Sequence, residues 1–170
     1  FEYDGIYYLH QGEEVFRGNG ENTRLYGATI TGPVIYHSVN LILNDGFLTL
    51  KLFALLGGTT IIFVSYCIVK NIFNVKIAII TQLLIVFNAR FILQSTWALN
   101  EQLPLVFTFL SLYFMTKKEI KIKDIVIIGI LLGISFSIRY QAIFVLIGFL
   151  IFLLIRNKGY KINLKHILII

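Results

Sequence analysis

The sequence has few charged residues and almost no cysteine. Only 14% of its 170 residues are Asp, Glu, Lys or Arg, whereas 57% are hydrophobic. A water-soluble domain of this size has too much surface to cover with so few charges, so that class of protein is excluded. The one cysteine, Cys67, lies in an apolar run. It excludes an internal disulfide framework and is expected to be a small core residue.

The motifs of several enzyme classes are also missing. The chain has no Walker loop, GxGxxG fingerprint, CxxC pair or Ser-His-Asp arrangement. His10 and His37 are too far apart, with too few further ligands, to predict a zinc site. The net charge of +6 does not predict a nucleic-acid partner, because the lysines form short clusters between apolar runs.

What the sequence does contain is a series of apolar runs of membrane-spanning length. As helices, about 15 to 23 apolar residues cross most or all of the roughly 30 Å of bilayer hydrocarbon. The runs predict an all-α polytopic membrane protein, in which residues 47–170 form a transmembrane bundle of five spans and the start of a sixth. The five predicted spans cover residues 47–69, 77–95, 101–116, 125–138 and 141–155.

The charges beside these runs predict the orientation. Ten of the fifteen basic residues fall in three connections on one side of the bundle, which the positive-inside bias assigns to the cytoplasm. Residues 1–46 then form a mainly acidic, non-cytoplasmic loop of a multi-pass cell-membrane protein. One long helix through 125–155 would place the basic run 156–165 outside, so a tight turn at Arg139 is preferred. The ten basic residues are Lys70, Lys76, Lys117, Lys118, Lys121, Lys123, Arg156, Lys158, Lys161 and Lys165.

Within the external loop, composition separates an irregular part from a short helix. Residues 12–32 are rich in Gly, Asn and Thr and predict an irregular segment. Pro33 suits the first turn of a helix, and the alternation that follows predicts an interfacial helix near 33–43, too short to span. Residues 44–46 are expected to form a turn.

Among the ionisable residues within or at the ends of predicted spans, the candidates for a site are Arg90, Glu101 and Arg139. A charge inside a membrane helix costs roughly 2.5–3.5 kcal/mol on insertion scales. Each has an ordinary alternative: Arg90 as a snorkelling anchor, Glu101 as a first-turn carboxylate and Arg139 as a solvated turn residue. All three lie toward the outer ends of their helices, with Gln94, Asn100 and Gln141, which favours a site at the outer leaflet.

The first residues add two carboxylates and two tyrosines to that side. Glu2 and Asp4 point the same way in an extended segment and diverge in a helix. Solvated loop carboxylates are common, so the pair alone is a weak motif. Tyr7 and Tyr8 follow closely in the chain and are the aromatic candidates beside this pair.

Taken together, these pieces resemble the GT-C superfamily of membrane glycosyltransferases. The similarity is to the branch that includes protein O-mannosyltransferases and the lipid A aminoarabinose transferase. Such proteins have an acidic motif at the start of the first external loop, a Pro-led interfacial helix and a carboxylate opening a later helix. The matching segments are Glu2-Tyr3-Asp4-Gly5-Ile6-Tyr7-Tyr8, Gly32-Pro33-Val34-Ile35-Tyr36, Ala98-Leu99-Asn100-Glu101 and residues 129–142.

The resemblance implies sugar transfer from a polyprenyl-phosphate donor to a protein, lipid or glycan acceptor at the non-cytoplasmic face. Asp4 falls on the position of the family's catalytic Asp, and Glu101 near a second acidic position. Arg139 falls where the family places a cation facing the donor phosphate, and Arg90 is a second candidate for that role. A divalent metal on Glu2 and Asp4 is compatible with two carboxylates but not required by them. Because a transmembrane helix precedes the acidic motif in that family, the chain is expected to be an internal fragment.

Two hypotheses from other classes compete with this interpretation. A transporter or flippase half would line a path with polar residues at the midplane and on both sides, whereas this chain concentrates them outside. A scaffold without a site would not explain the long acidic external loop. Bound partners are therefore expected to be the lipid-linked donor, the acceptor and membrane lipids.

Overall fold

The computed structural model describes residues 3–19, 31–96, 102–117 and 119–156, with the side chains of 3–5, 94–96 and 153–156 left outside the description. In these ranges the chain is helical, with no β-strand, so the all-α prediction is confirmed. The helices are α1 (Tyr3–Phe16), α2 (Thr31–Leu43), α3 (Gly46–Ile72), α4 (Val75–Val86), α5 (Ala89–Thr96), α6 (Gln102–Met115), α7 (Ile122–Ile138) and α8 (Ala142–Arg156).

Helix α3 is the central element of the fold. It contacts α1, α2, α4, α5 and α6, whereas α7 packs mainly on α6 and also contacts α2. Of the described helices, α3 alone is both long and apolar enough to cross a membrane, while α4, α6 and most of α8 are apolar but shorter. The multi-pass topology stays a prediction.

Short polar side chains set several helix starts. The Asp45 carboxylate accepts a hydrogen bond from the backbone N–H of Leu48 at 3.0 Å, and Asn74 does the same for Ile77 at 3.0 Å. These bonds satisfy amide groups that have no partner inside their own helix. Asn44, just before Asp45, has a positive φ of 51°, so the chain turns sharply between α2 and α3.

The structure differs from two expectations about helix continuity. Residues 12–16, predicted to be irregular, are the last part of α1. The segment 77–95, predicted as one span, is divided between α4 and α5, because the Asn88 side chain accepts from the Phe91 N–H at 3.1 Å and starts a new helix. The break predicted at Arg139 is present, with α7 ending at Ile138.

The bundle has two ends with different contents. At one end, α1 and α2 lie against the first half of α3, and Leu9 of α1 reaches Gly46 at the start of α3. At the other end, Asn71 donates a hydrogen bond to Thr116 at 3.1 Å, which joins the last turn of α3 to the end of α6.

Leu103, at the start of α6, packs beside Tyr36 of α2 and Leu50 of α3. Helix α7 runs antiparallel to α6, since Ser135 bonds to Pro104, so the α7–α8 turn lies at the same end.

Candidate functional site

Helices α1 and α2 cross at a glycine. A Cβ on Gly12 would clash with the carbonyl oxygen of Pro33 and stand 2.5 Å from the Cβ of His37. Only a residue without a side chain permits this approach. The crossing fixes α1, and therefore the Asp4 position in its first turn, against α2.

Tyr36 of α2 lies where four helices meet. It is 1% exposed and packs with Leu50 of α3, and partly buried side chains from α1, α3 and α6 surround the pair. Its ring meets Phe53 edge to face, with centroids 4.7 Å apart. The Tyr36 hydroxyl is buried and has no hydrogen-bond partner among the described residues.

Electrostatics connect Tyr36 with α1 and with the α7–α8 turn. Burial raises the pKa of the Tyr36 hydroxyl well above its usual value; Tyr8 adds to the rise, and the positive charge of Arg139 opposes it. Tyr8 and Arg139 are therefore both within electrostatic range of one buried hydroxyl. Tyr8 is half-buried and lies one helical turn after Asp4, and positions four residues apart share a helix face.

Arg139 is held between two helices. Its backbone is extended, with φ −151° and ψ 123°, while its N–H still donates to the carbonyl of Ser135 at 2.9 Å. Its own carbonyl accepts from the N–H of Ala142 at 3.2 Å, at the start of α8. The half-buried side chain lines a pocket of about 260 Å³ between α6, α7 and α8, together with Pro104, Leu105, Thr108, Ser135, Gln141, Ala142 and Val145.

Hydroxyl groups define the inner wall of this pocket. Ser135 donates to the Pro104 carbonyl at 2.8 Å and lies 2.9 Å from the Thr108 hydroxyl. Since the single Ser135 proton is used on Pro104, Thr108 is the donor to Ser135. The three residues hold α6 and α7 together through small side chains, an arrangement suited to close helix contacts in lipid.

Gln102 is a buried amide at the start of α6. It is 1% exposed, and neither its Oε1 nor its Nε2 has a partner in the part of the chain that the structure describes. A Cβ on Gly57 of α3 would stand 2.8 Å from the Gln102 Cβ, so the two helices are in close contact here. The neighbouring Glu101, a predicted site residue, lies outside the described residues, as does Glu2.

The predicted cations do not lie together. Arg90 is exposed in the first turn of α5, a helix that packs on α3 and α4 and does not line the Arg139 pocket. Tyr7 is exposed and contacts Tyr8 edge to face at 6.3 Å. In the described side chains, no group of three or more His, Cys, Asp or Glu could hold a metal ion. This does not test the Glu2–Asp4 metal hypothesis.

The sequence interpretation assigned no role to Tyr36 or Gln102. Tyr36 was part of a matching segment, but only the assembled fold shows that its hydroxyl is buried near Arg139. Gln102 directly follows Glu101. A second polar residue at the start of an apolar run was the one sequence signal that could have marked Gln102 as a candidate.

An ion pair joins the end of α6 to the start of α7, at the end of the bundle opposite Arg139. Lys117, after α6, donates to the buried carboxylate of Asp124 at 2.7 Å, and the Lys121 N–H donates to the same carboxylate at 2.9 Å. The hydrogen bond from Lys117, followed by that from Lys121, lowers the pKa of Asp124 below its usual value. These groups tie α6 to α7 and are far along both helices from Arg139.

An all-helical bundle with an apolar exterior, and with a pocket beside Arg139 at one end, is the class of fold expected of a membrane-embedded protein. The profile of the dolichyl-phosphate-mannose-protein mannosyltransferase family matches residues 29–170, so the chain belongs to that family. The predicted GT-C resemblance is confirmed. The family consists of membrane-integral glycosyltransferases that in general use a polyprenyl-phosphate sugar donor.

No curated protein and no solved structure matches the chain. The family match begins after α1, so it includes Tyr36 and Arg139 but not Asp4.

Proposed function

We propose that this chain forms part of a glycosyltransferase that moves a sugar from a polyprenyl-phosphate donor to a protein, lipid or glycan acceptor at the non-cytoplasmic membrane face. The observation that carries the proposal is the position of Arg139. It lies at the α1–α2 end of the bundle, beside a pocket and within electrostatic range of α2. The family match supports the reaction class.

The membrane setting is supported by the outer surface. Large apolar side chains are exposed along several helices, including Phe63 (68%) on α3, Leu84 (70%) on α4 and Phe144 (73%) on α8. Water would not favour so much exposed apolar area, whereas lipid tails would. The described lysines of the connections lie at the end opposite Arg139, which supports a non-cytoplasmic site under the positive-inside bias.

The chemistry requires a base for the acceptor and a cation for the leaving group. In an inverting transfer a carboxylate removes the proton from the acceptor hydroxyl as that oxygen attacks the anomeric carbon. We assign this role to Asp4, whose position in α1 is one turn before Tyr8. The leaving lipid phosphate needs positive charge more than a proton, and Arg139 supplies it.

The remaining predicted residues take supporting roles. Glu2 and Glu101 orient the acceptor or Asp4, and Tyr7 and Tyr8 flank the sugar. In this proposal Arg139 rather than Arg90 binds the phosphate, because the pocket beside Arg139 is lined by residues of α6 to α8 and not of α5.

The test is sugar transfer from polyprenyl-phosphate mannose by the full-length protein in membranes. Arg139→Ala should raise the KM for donor about 10- to 100-fold, because a charge-assisted hydrogen bond is lost. Arg139→Lys should lose less, since the charge is kept and only the fork geometry changes. Arg90→Ala is the matched comparison and should change KM little. Donor binding without any transfer, and with translocation of the lipid, would contradict this proposal and favour a flippase.

A further inference from the structure

Tyr36 is a buried hydroxyl for which the described part of the chain offers no hydrogen-bond partner. The residue is only 1% exposed to solvent, and its ring packs against Phe53 and Leu50 of α3. A buried hydroxyl that bonds to nothing is costly, so such groups are normally paired with protein, water or ligand. The fold therefore keeps a polar atom in an apolar setting where a phenylalanine would pack equally well.

The surroundings indicate what kind of ligand suits this hydroxyl. Helix α2, which carries Tyr36, packs against α7, which ends directly before Arg139. The charge of Arg139 acts on the Tyr36 hydroxyl, as does the neighbouring Tyr8 of α1. A group that accepts hydrogen bonds and carries negative charge is complementary to both Arg139 and a hydroxyl donor. A sugar hydroxyl would satisfy Tyr36 but would not need the guanidinium.

We infer that Tyr36 and Arg139 together form a phosphate-binding pair, in which the Tyr36 hydroxyl donates a hydrogen bond to an oxygen of the polyprenyl phosphate. This inference rests on the proposed function, since it takes the donor phosphate to lie beside Arg139. In this pair Tyr36 of α2 provides a neutral hydrogen-bond donor, and Arg139 of the α7–α8 turn provides a positive charge. The bound phosphate would therefore contact two separate parts of the fold.

Two features of the protein fit the role. Burial raises the pKa of the Tyr36 hydroxyl, so the group keeps its proton and can donate it to a phosphate oxygen. Its rigid placement in the aromatic core means that little side-chain entropy is lost when the bond forms.

The test separates binding from folding with Tyr36→Phe, which removes only the hydroxyl. The full-length protein in detergent is titrated with sugar-free polyprenyl phosphate and, separately, with the corresponding polyprenol. We expect phosphate-lipid affinity to fall about 10- to 100-fold and polyprenol binding to stay unchanged. In membranes the KM for donor should rise by a similar factor while kcat changes less.

Thermal stability provides the second measurement. Without ligand, Tyr36→Phe should be as stable as the wild type or more stable, because it removes an unbonded buried polar atom. Tyr113→Phe, on α6 toward the opposite end, is the matched control and should leave affinity unchanged. A clear loss of stability in ligand-free Tyr36→Phe would overturn the inference by showing that the hydroxyl is a structural group.

The two proposals fail in different ways. If Arg139→Ala loses phosphate-lipid binding and Tyr36→Phe keeps it, the inference is overturned and the proposed function stands. If the wild type binds polyprenyl phosphate and polyprenol with equal affinity, and both variants do the same, the protein has no phosphate site. Both proposals are then wrong.

Discussion

Gly12 of α1 lies directly against Pro33 of α2, with no room for a Cβ atom between them. The obstructing atom is a backbone oxygen, which cannot move aside as the tip of a flexible side chain can. The position of α1 on the bundle, and with it the first turn that contains Asp4, therefore depends on one missing side chain.

We expect Gly12→Ala to displace α1 and to destabilise the protein by about 1–3 kcal/mol, the usual cost of overpacking. Transfer activity should fall as well, because the Asp4 position moves. Gly133→Ala in α7 is the control: nothing lies within 4 Å of its added Cβ, and alanine favours helix. Melting temperatures and transfer rates of both variants check this, and equal behaviour of the two would contradict the close crossing.

Asp4→Asn should keep the size of the side chain while removing the base. A general base contributes on the order of 10²–10⁴-fold in rate, so transfer by the full-length protein should fall by about that factor. Expression and donor binding should persist. Glu2→Gln should cost less, since Glu2 only supports Asp4 in the proposal. Harmless Asp4→Asn together with inactive Glu2→Gln would reverse the two roles.

Cysteine labelling tests the orientation. In a Cys67→Ala background, a probe at Asn19→Cys should react with an impermeant reagent on intact cells, and one at Lys121→Cys only after permeabilisation. Both native residues are exposed, so accessibility within the fold does not limit the reaction. Labelling of Lys121→Cys from outside would overturn the assignment by the positive-inside bias.

Asp124→Asn tests the ion pair at the opposite end and has a defined pH dependence. The pKa of Asp124 is lowered in the folded state, so its carboxylate contributes stability above the ordinary value of about 4 and loses it below. The wild type should therefore melt at a higher temperature than Asp124→Asn at neutral pH, and the gap should narrow as the pH falls below about 4. A gap that does not depend on pH would contradict the charge contribution.

Local signals in the sequence were sufficient for several elements. The polar residues at 139–141 predicted the break between α7 and α8, because three polar positions cannot continue an apolar helix at no cost. The apolar runs predicted helices at the positions of α3, α6 and α7. In each case the information lay within a few residues of the feature.

The errors arose where a residue serves a distant contact. Gly12 was predicted to lie in an irregular loop, yet it is helical, and its missing side chain allows α1 to pack against Pro33 of α2. Asn88 is the exception, because its cap contact with the Phe91 N–H is local, but an asparagine in an apolar run is equally compatible with one continuous span. The burial of Tyr36 depends on four helices meeting, which the sequence of α2 does not encode.

The hydroxyl contacts and the ion pair of α6 and α7 also bear on how the chain is made. Ser135 with Pro104, Ser135 with Thr108, and Lys117 with Asp124 join residues at most 31 positions apart. Contacts of short sequence separation form quickly, because little loop entropy is lost. All of these residues have been synthesised once the chain reaches Arg139. Helices α6 and α7 can therefore pack during translation, before α8 has emerged to pack against them.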